Sequence, residues 1–191
     1  MRKQQREAIL ALLEETYMGT ETALNYSTPF ELLVAVIMSA QCTDERVNKI
    51  TARIFPKYNT PEKMGALSQE QLEEEIRDCG LFRSKAKNLL ATCKMLTEEY
   101  NSVIPDTVEE LMKLPGVGKK TANVVASIVY KVPAIAVDTH VFRVSHRLGL
   151  AKGDDPLAVE KELQKAIPKN KWSDAHHWLI WHGRKICKAR K

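Results

Sequence analysis

The chain is poor in the features that mark several large protein classes. Aromatic residues make up only 6%, and its 191 residues hold just eight glycines, eight prolines and four cysteines. So little glycine and proline excludes a collagen-like repeat and a low-complexity linker. No run approaches the roughly 18 apolar residues that a membrane span needs. The opening residues Met1-Arg2-Lys3-Gln4-Gln5 lead into a charged amphipathic pattern and not the apolar stretch of a secretory signal. Cys42, Cys79, Cys93 and Cys187 have no metal-clip spacing, so a cytoplasmic chain with reduced thiols is expected. Cys42 and Cys93 fall in helical patterns and are expected to be packed. Strand signals are scarce too. Pro133 to Val137 is the one strand-like stretch, too short and isolated for a sheet.

What remains is an ordinary globular balance, 44% hydrophobic and 28% charged, with ample length for a core. The periodicity is helical almost throughout, and the fold class is all-α. Thr28-Pro29, Thr60-Pro61 and Asp155-Pro156 each place a capping residue before a proline at a helix start. Ser68 to Gln71 and Thr107 to Glu110 read as capping boxes. The pattern predicts helices near 2–17, 29–41, 44–57, 69–78, 84–100, 107–113, 119–130, 139–148, 156–167 and 173–186. Connections are short, so successive helices should pack together.

The net charge of +5 arises from 29 basic and 24 acidic residues. Arg184, Lys185, Lys188, Arg190 and Lys191 supply all of it, because the rest of the chain balances. A basic end suits a polyanion, although a solvated terminus has the same composition. A second basic region is more sharply built. Between Leu111 and Val137 the charged residues are Lys113, Lys119, Lys120 and Lys131, with no acid. It contains Leu114-Pro115-Gly116-Val117-Gly118-Lys119-Lys120-Thr121-Ala122, where one helix ends and another begins. Two glycines let the turn take φ > 0 and let backbone approach a ligand. The new helix opens with free N–H groups and a positive dipole end, which suits a phosphate. A plain helix–helix turn explains a lone Gly-x-Gly equally well. The fuller pattern is a helix-hairpin-helix motif, which grips a DNA phosphate through backbone amides without reading bases.

Two residues could carry chemistry. Lys120 lies in the first turn of that helix, beside Lys119 and against the dipole. Both effects disfavour its charged form and favour an amine nucleophile. A phosphate-contacting lysine accounts for the same position. Asp138, in Val137-Asp138-Thr139-His140, reads first as a helix N-cap. A capping carboxylate is also rigid and anionic, fitted to stabilise a developing cation. His176, His177, His182 and Cys187 lack the spacing of a shared ligand face, which argues against zinc. Trp172, Trp178 and Trp181 read as core.

Five blocks then stand in order along the chain. They are Ser39-Ala40-Gln41-Cys42-Thr43-Asp44, Cys79-Gly80-Leu81-Phe82-Arg83-Ser84-Lys85-Ala86, the hairpin with Lys120, Val137-Asp138-Thr139-His140, and His176 to Arg184. With them the chain resembles the helix-hairpin-helix DNA glycosylase superfamily, in its endonuclease III family, over essentially its whole length. The resemblance implies a bilobal helical fold. A six-helix barrel lobe spans about 21–132 and contains the hairpin, and a second lobe combines 1–20 with 133–191. It implies a glycosylase and abasic-site lyase that flips an oxidised pyrimidine out of double-stranded DNA. Lys120 would be the nucleophile, forming a Schiff base on the sugar, and Asp138 the assisting carboxylate. Gln41 and Leu81 match positions that fill the gap and wedge the duplex. Leu114, Gly116, Val117, Gly118 and Lys119 would form the phosphate grip. A monomer in the bacterial or archaeal type of cytoplasm, near the nucleoid and with no membrane partner, is implied as well.

The chain departs from the family at its C-terminal end. Most members hold a [4Fe–4S] cluster with four cysteines spaced C-x6-C-x2-C-x5-C. Cys187 matches the first ligand, and the next would fall at position 194. Cys42, Cys79 and Cys93 have the wrong spacing to substitute, so this sequence cannot complete the four-thiolate site. Either the sequence is trimmed or this member dispenses with the cluster; the stop in mid-motif favours trimming, and weaker DNA binding than a full-length relative is expected. Three readings stay open on the residues alone: the bifunctional enzyme, a non-catalytic DNA-binding module, and a structural helical domain. A steep fall of affinity with salt would argue against the last.

Overall fold

The computed structural model describes residues 2–190. Eleven α-helices occur among them: α1 (Lys3–Tyr17), α2 (Pro29–Met38), α3 (Asp44–Ile54), α4 (Pro61–Gly65), α5 (Gln69–Glu75), α6 (Phe82–Glu99), α7 (Val108–Leu111), α8 (Lys119–Tyr130), α9 (Thr139–Arg147), α10 (Pro156–Ala166) and α11 (Trp172–Lys185). A 3-10 turn, Lys169–Lys171, precedes α11. The described residues contain no strand, and Pro133 to Val137 runs without a pairing partner. No helix among them is long and apolar enough to cross a membrane.

The caps explain where helices begin. Thr28, Thr60 and Asp155 each accept a hydrogen bond from the backbone N–H three residues on, with proline in the first turn. Ser68 and Gln71 form a complete capping box. The second expected box is only half formed. Thr107 Oγ1 accepts from the Glu110 N–H, but the Glu110 carboxylate turns away to the Tyr100 hydroxyl at 2.7 Å and to Lys113 at 2.5 Å. Other boundaries differ from the periodic pattern too, and α3 and α5 each end three residues early, at Ile54 and Glu75. Helix α2 stops at Met38 and not at 41, because Gln41 takes a left-handed φ of 53°. Helix α6 begins at Phe82, two residues early, with Leu81 left-handed at its N-cap. Helix α4 is a single turn, too short for a period to register. Cys42 consequently lies in a turn, half-buried, outside any helix. Cys93 is buried within α6 as expected.

The chain divides into two compact units. One is Ala23–Tyr130. Its centre is α2, where every residue from Phe30 to Met38 is buried. A helix apolar on all sides must be surrounded, and α3, α6 and α8 pack against it. Leu32 and Leu33 of α2 are fully buried, as are Ile50, Ile54, Leu89 and Leu111 on other helices of the unit. Each such side chain stabilises the unit by about 1.5–3 kcal/mol.

The other unit joins residues 2–22 to residues 131–190. Helix α11 packs on α1 and α9, and α10 on α9. Leu13, Tyr17, Ile135, Val144, Leu163, Trp178 and Leu179 form its core, with Trp172 and Trp181 partly buried against it. The indole N–H groups of Trp172 and Trp181 donate to the Ile167 and Glu21 carbonyls at 2.9 and 3.1 Å. All three tryptophans therefore serve packing in this unit. The Tyr17 hydroxyl lies 3.1 Å from His182 Nδ1. Burial pushes the Tyr17 hydroxyl up and the His182 ring down. Both are then neutral, with the O–H donating and Nδ1 accepting.

Candidate active site

The expected hairpin is present between α7 and α8 in the unit Ala23–Tyr130. Leu114 and Val117 are buried, 2% and 6% exposed, and the Val117 N–H donates to the Leu114 carbonyl at 3.1 Å. Their side chains face the core and anchor the turn, so any contact they make with a ligand runs through backbone. The two glycines differ. Gly116 has φ +77°, and a Cβ there would sit 2.8 Å from Asn88 Nδ2. The fold itself therefore demands glycine at 116. Gly118 has no left-handed φ, and a Cβ there would meet nothing within 4 Å. The fold does not need glycine at 118, contrary to the expectation that both residues serve the turn. Past it, Lys119 and Lys120 stand exposed in the first turn of α8. Burial therefore plays no part in the surroundings of Lys120.

Gln41 and Leu81 come together in the same unit. Both are exposed, Leu81 at 58%. Both are non-glycine residues with left-handed backbone, φ 53° and 59°. Gly80 lies between them, where a Cβ would be 3.1 Å from the Gln41 carbonyl oxygen. Helix α6 supports this pair and the hairpin from one stripe. Leu81 caps it, Lys85 reaches back to the α2 end at the Met38 and Ala40 carbonyls, Asn88 lies under Gly116, and Thr92 donates to the Pro115 carbonyl at 2.9 Å. Positions 81, 85, 88 and 92 follow steps of four and three, one face of a helix. Sequence reasoning missed Lys85, Asn88 and Thr92, although that spacing was visible.

In the other unit Asp138 is the N-cap of α9, as read from its flanks. Its Oδ1 accepts from the Val141 N–H at 2.8 Å, and the residue is half-buried. Two arginines of the same helix, also missed, hold the segment around Cys187. Arg143 donates to the Gly183 and Cys187 carbonyls at 3.0 and 2.9 Å. Arg147 donates to Cys187 Sγ at 3.3 Å and to the Lys188 carbonyl at 2.8 Å.

The donor set does not fit an iron–sulfur cluster. Cys187 is the one thiol near the expected ligand position, and its sulfur faces Arg147. Cys42, Cys79 and Cys93 belong to the other unit. Among the described residues no group of three His, Cys, Asp or Glu side chains could hold a metal. The described part of the basic tail ends in Arg190, and Lys191 lies outside the described residues.

Comparison with known proteins identifies the family and the fold. Residues 34–169 match the HhH-GPD superfamily of base excision DNA repair proteins. Endonuclease III of Rickettsia prowazekii (strain Madrid E) is 51% identical over the whole chain, which covers 90% of that protein. Endonuclease III of Escherichia coli (strain K12) is 48% identical with the same coverage of both. A solved structure of a trapped endonuclease III–DNA covalent intermediate, an estranged-adenine complex, superimposes with a TM-score of 0.96 at 52% identity, covering all of this chain and 90% of that one. A thermostable thymine-DNA glycosylase shares the fold, with a TM-score of 0.85 at 21% identity over 98% of this chain and 90% of that one.

Proposed function

Because the chain belongs to the HhH-GPD superfamily, within endonuclease III, it is a DNA glycosylase and abasic-site lyase of base excision repair, and we propose that it removes oxidised pyrimidines through Lys120. In this scheme the nucleotide is flipped out of the duplex, Gln41 fills the gap and Leu81 wedges the strands apart. The neutral Lys120 amine attacks the sugar C1′, and the C1′–N bond electrons leave with the base. The Asp138 carboxylate stabilises the positive charge that develops on the sugar. Ring opening leaves a Schiff base between Nζ and C1′. Loss of the C2′ proton then expels the 3′ phosphate by β-elimination, and the strand breaks 3′ to the lesion.

The observation that carries this scheme is Lys120 on the first turn of α8, two residues after Gly118, a glycine that the fold does not require. Gly118 leaves room for a phosphate to approach the helix N-terminus, and Lys119 adds charge there. Lys120 is thereby set beside the strand it cleaves. Endonuclease III proteins carry a [4Fe–4S] cluster. The residues described here supply one matching thiol, and no step of the scheme passes through such a group. We also infer a monomer that meets DNA in a bacterial cytoplasm, without a membrane partner.

The test is incision of a duplex with one oxidised pyrimidine, run beside its undamaged counterpart. Release of the damaged base, a β-elimination end and an adduct trapped by borohydride support the proposal. Binding without any of the three would leave only the helix-hairpin-helix grip.

The two glycines separate fold from function. Gly116→Ala is expected to destabilise the protein by about 1–3 kcal/mol, from its φ and the Asn88 contact. Gly118→Ala is expected to leave stability unchanged, or to raise it by about 0.4–1 kcal/mol, while weakening duplex binding. Thermal unfolding paired with DNA titration checks both, and unimpaired binding by Gly118→Ala would count against the phosphate grip.

A further inference from the structure

Lys85 is a buried cation that the catalytic scheme leaves unused. It is 5% exposed, in a position where an unsatisfied ammonium would be strongly unfavourable. Its Nζ donates to the Met38 carbonyl at 2.8 Å, the Ala40 carbonyl at 2.6 Å and Cys79 Sγ at 3.1 Å. An ammonium has three N–H donors, so these acceptors use all of them. Cys79 donates in turn to the Met38 carbonyl at 3.3 Å. Burial pushes the Cys79 thiol up, which keeps it an S–H donor.

These contacts tie two chain segments into one knot. One is the C-terminal end of α2, whose carbonyls attract a cation. The other is Cys79 to Leu81, which passes close to the first because residue 80 is glycine: a Cβ there would stand 3.1 Å from the Gln41 carbonyl oxygen. Gln41 and Leu81 flank the knot, and both have left-handed backbone. That conformation is unfavourable for any residue with a Cβ and persists only where the surroundings over-determine it. Here the Lys85 contacts hold the chain just before each of the two residues, at Ala40 and at Cys79.

We propose that Lys85 is the positioning residue of the base-flipping step, holding Gln41 and Leu81 as one rigid pair that enters the duplex together. It touches no substrate and acts only through those two residues. The inference rests on Gln41 as the gap-filling residue and Leu81 as the wedge.

Lys85→Met keeps the apolar stem and removes all three donors. The readout is a duplex with an abasic site opposite 2-aminopurine, whose fluorescence rises when that base is unstacked. Measured at saturating enzyme, the rise is expected to slow about tenfold or more, since small misplacements have large kinetic effects. Affinity for undamaged duplex is expected to stay within about threefold of the parent, because the hairpin is untouched. An unchanged fluorescence rise, or an equal loss of undamaged-duplex affinity, would overturn the proposal.

Cys79→Ala removes one acceptor and should slow the rise about two- to threefold, with Cys79→Ser restoring it. If Lys85→Met does not fold, this pair decides, and a parent-like Cys79→Ala overturns the proposal. Leu81→Ala separates the two layers of the argument. If it leaves the rise unchanged, the wedge reading fails and the inference falls with it. If it slows the rise while Lys85→Met does not, the inference alone fails.

Discussion

Lys120→Ala is expected to abolish the borohydride-trapped adduct and to slow base release by about 10⁴-fold or more, the scale on which loss of a covalent nucleophile is felt. The side chain is exposed, so stability should stay within about 0.5 kcal/mol of the parent. It should even rise slightly, because a cation leaves the positive end of α8. Lys120→Arg sharpens the test. A guanidinium keeps the charge that a phosphate would feel but forms no Schiff base under these conditions. If Lys120 merely contacts phosphate, arginine should preserve activity. If it is the nucleophile, arginine should fail as completely as alanine while duplex binding survives. Mass analysis of an adduct persisting in Lys120→Ala would point to a second amine, with Lys119 the adjacent one.

The second large effect is expected at Asp138, where capping and charge can be pulled apart. Asparagine caps helices about as well as aspartate, and its side-chain oxygen can still accept from the Val141 N–H. Asp138→Asn should therefore leave the melting temperature unchanged. Activity should fall about 10²–10³-fold, as when one preorganised electrostatic partner of a developing charge is lost. Asp138→Ala should fall at least as far and also lose about 1 kcal/mol of stability with the cap. Slow formation of the trapped adduct should persist in both variants, because Lys120 is still present. Parent-like turnover by Asp138→Asn would reduce the residue to a helix cap.

Much of this was legible in the amino-acid order, for local reasons. Thr28-Pro29 and Asp155-Pro156 start helices because capping and a fixed φ act within four residues. Asp138 was legible as a cap in the same way. Gln41 and Leu81 were not legible as strained residues. Neither is glycine or asparagine, and nothing local to them favours a left-handed φ. What imposes it is Lys85, whose carbonyl partners are 45 and 47 residues distant. A lysine in an amphipathic helix is ordinarily solvated, so its burial could not be inferred from its own segment. Arg143 and Arg147 were missed for the same reason, since their partners in the Cys187 segment lie about forty residues on. The half-formed box at Thr107 shows the limit from the other side. The pattern was present, but Tyr100, seven residues upstream of it, had claimed the carboxylate.

The way the chain is threaded has a consequence for its synthesis. Helix α1 is made long before α11, yet it packs on it, and Tyr17 meets His182 across 165 residues of sequence. At about 5–20 residues per second, α1 waits roughly 8–33 seconds for its partner to leave the ribosome. Ala23–Tyr130 is complete well before that and can acquire its core while α1 still displays Leu13 and Tyr17 to solvent or to a chaperone. Helix α1 is thus translated before α11 and buried only when α11 arrives. A nascent chain halted past Tyr130 would carry the glycine hairpin before Asp138 exists.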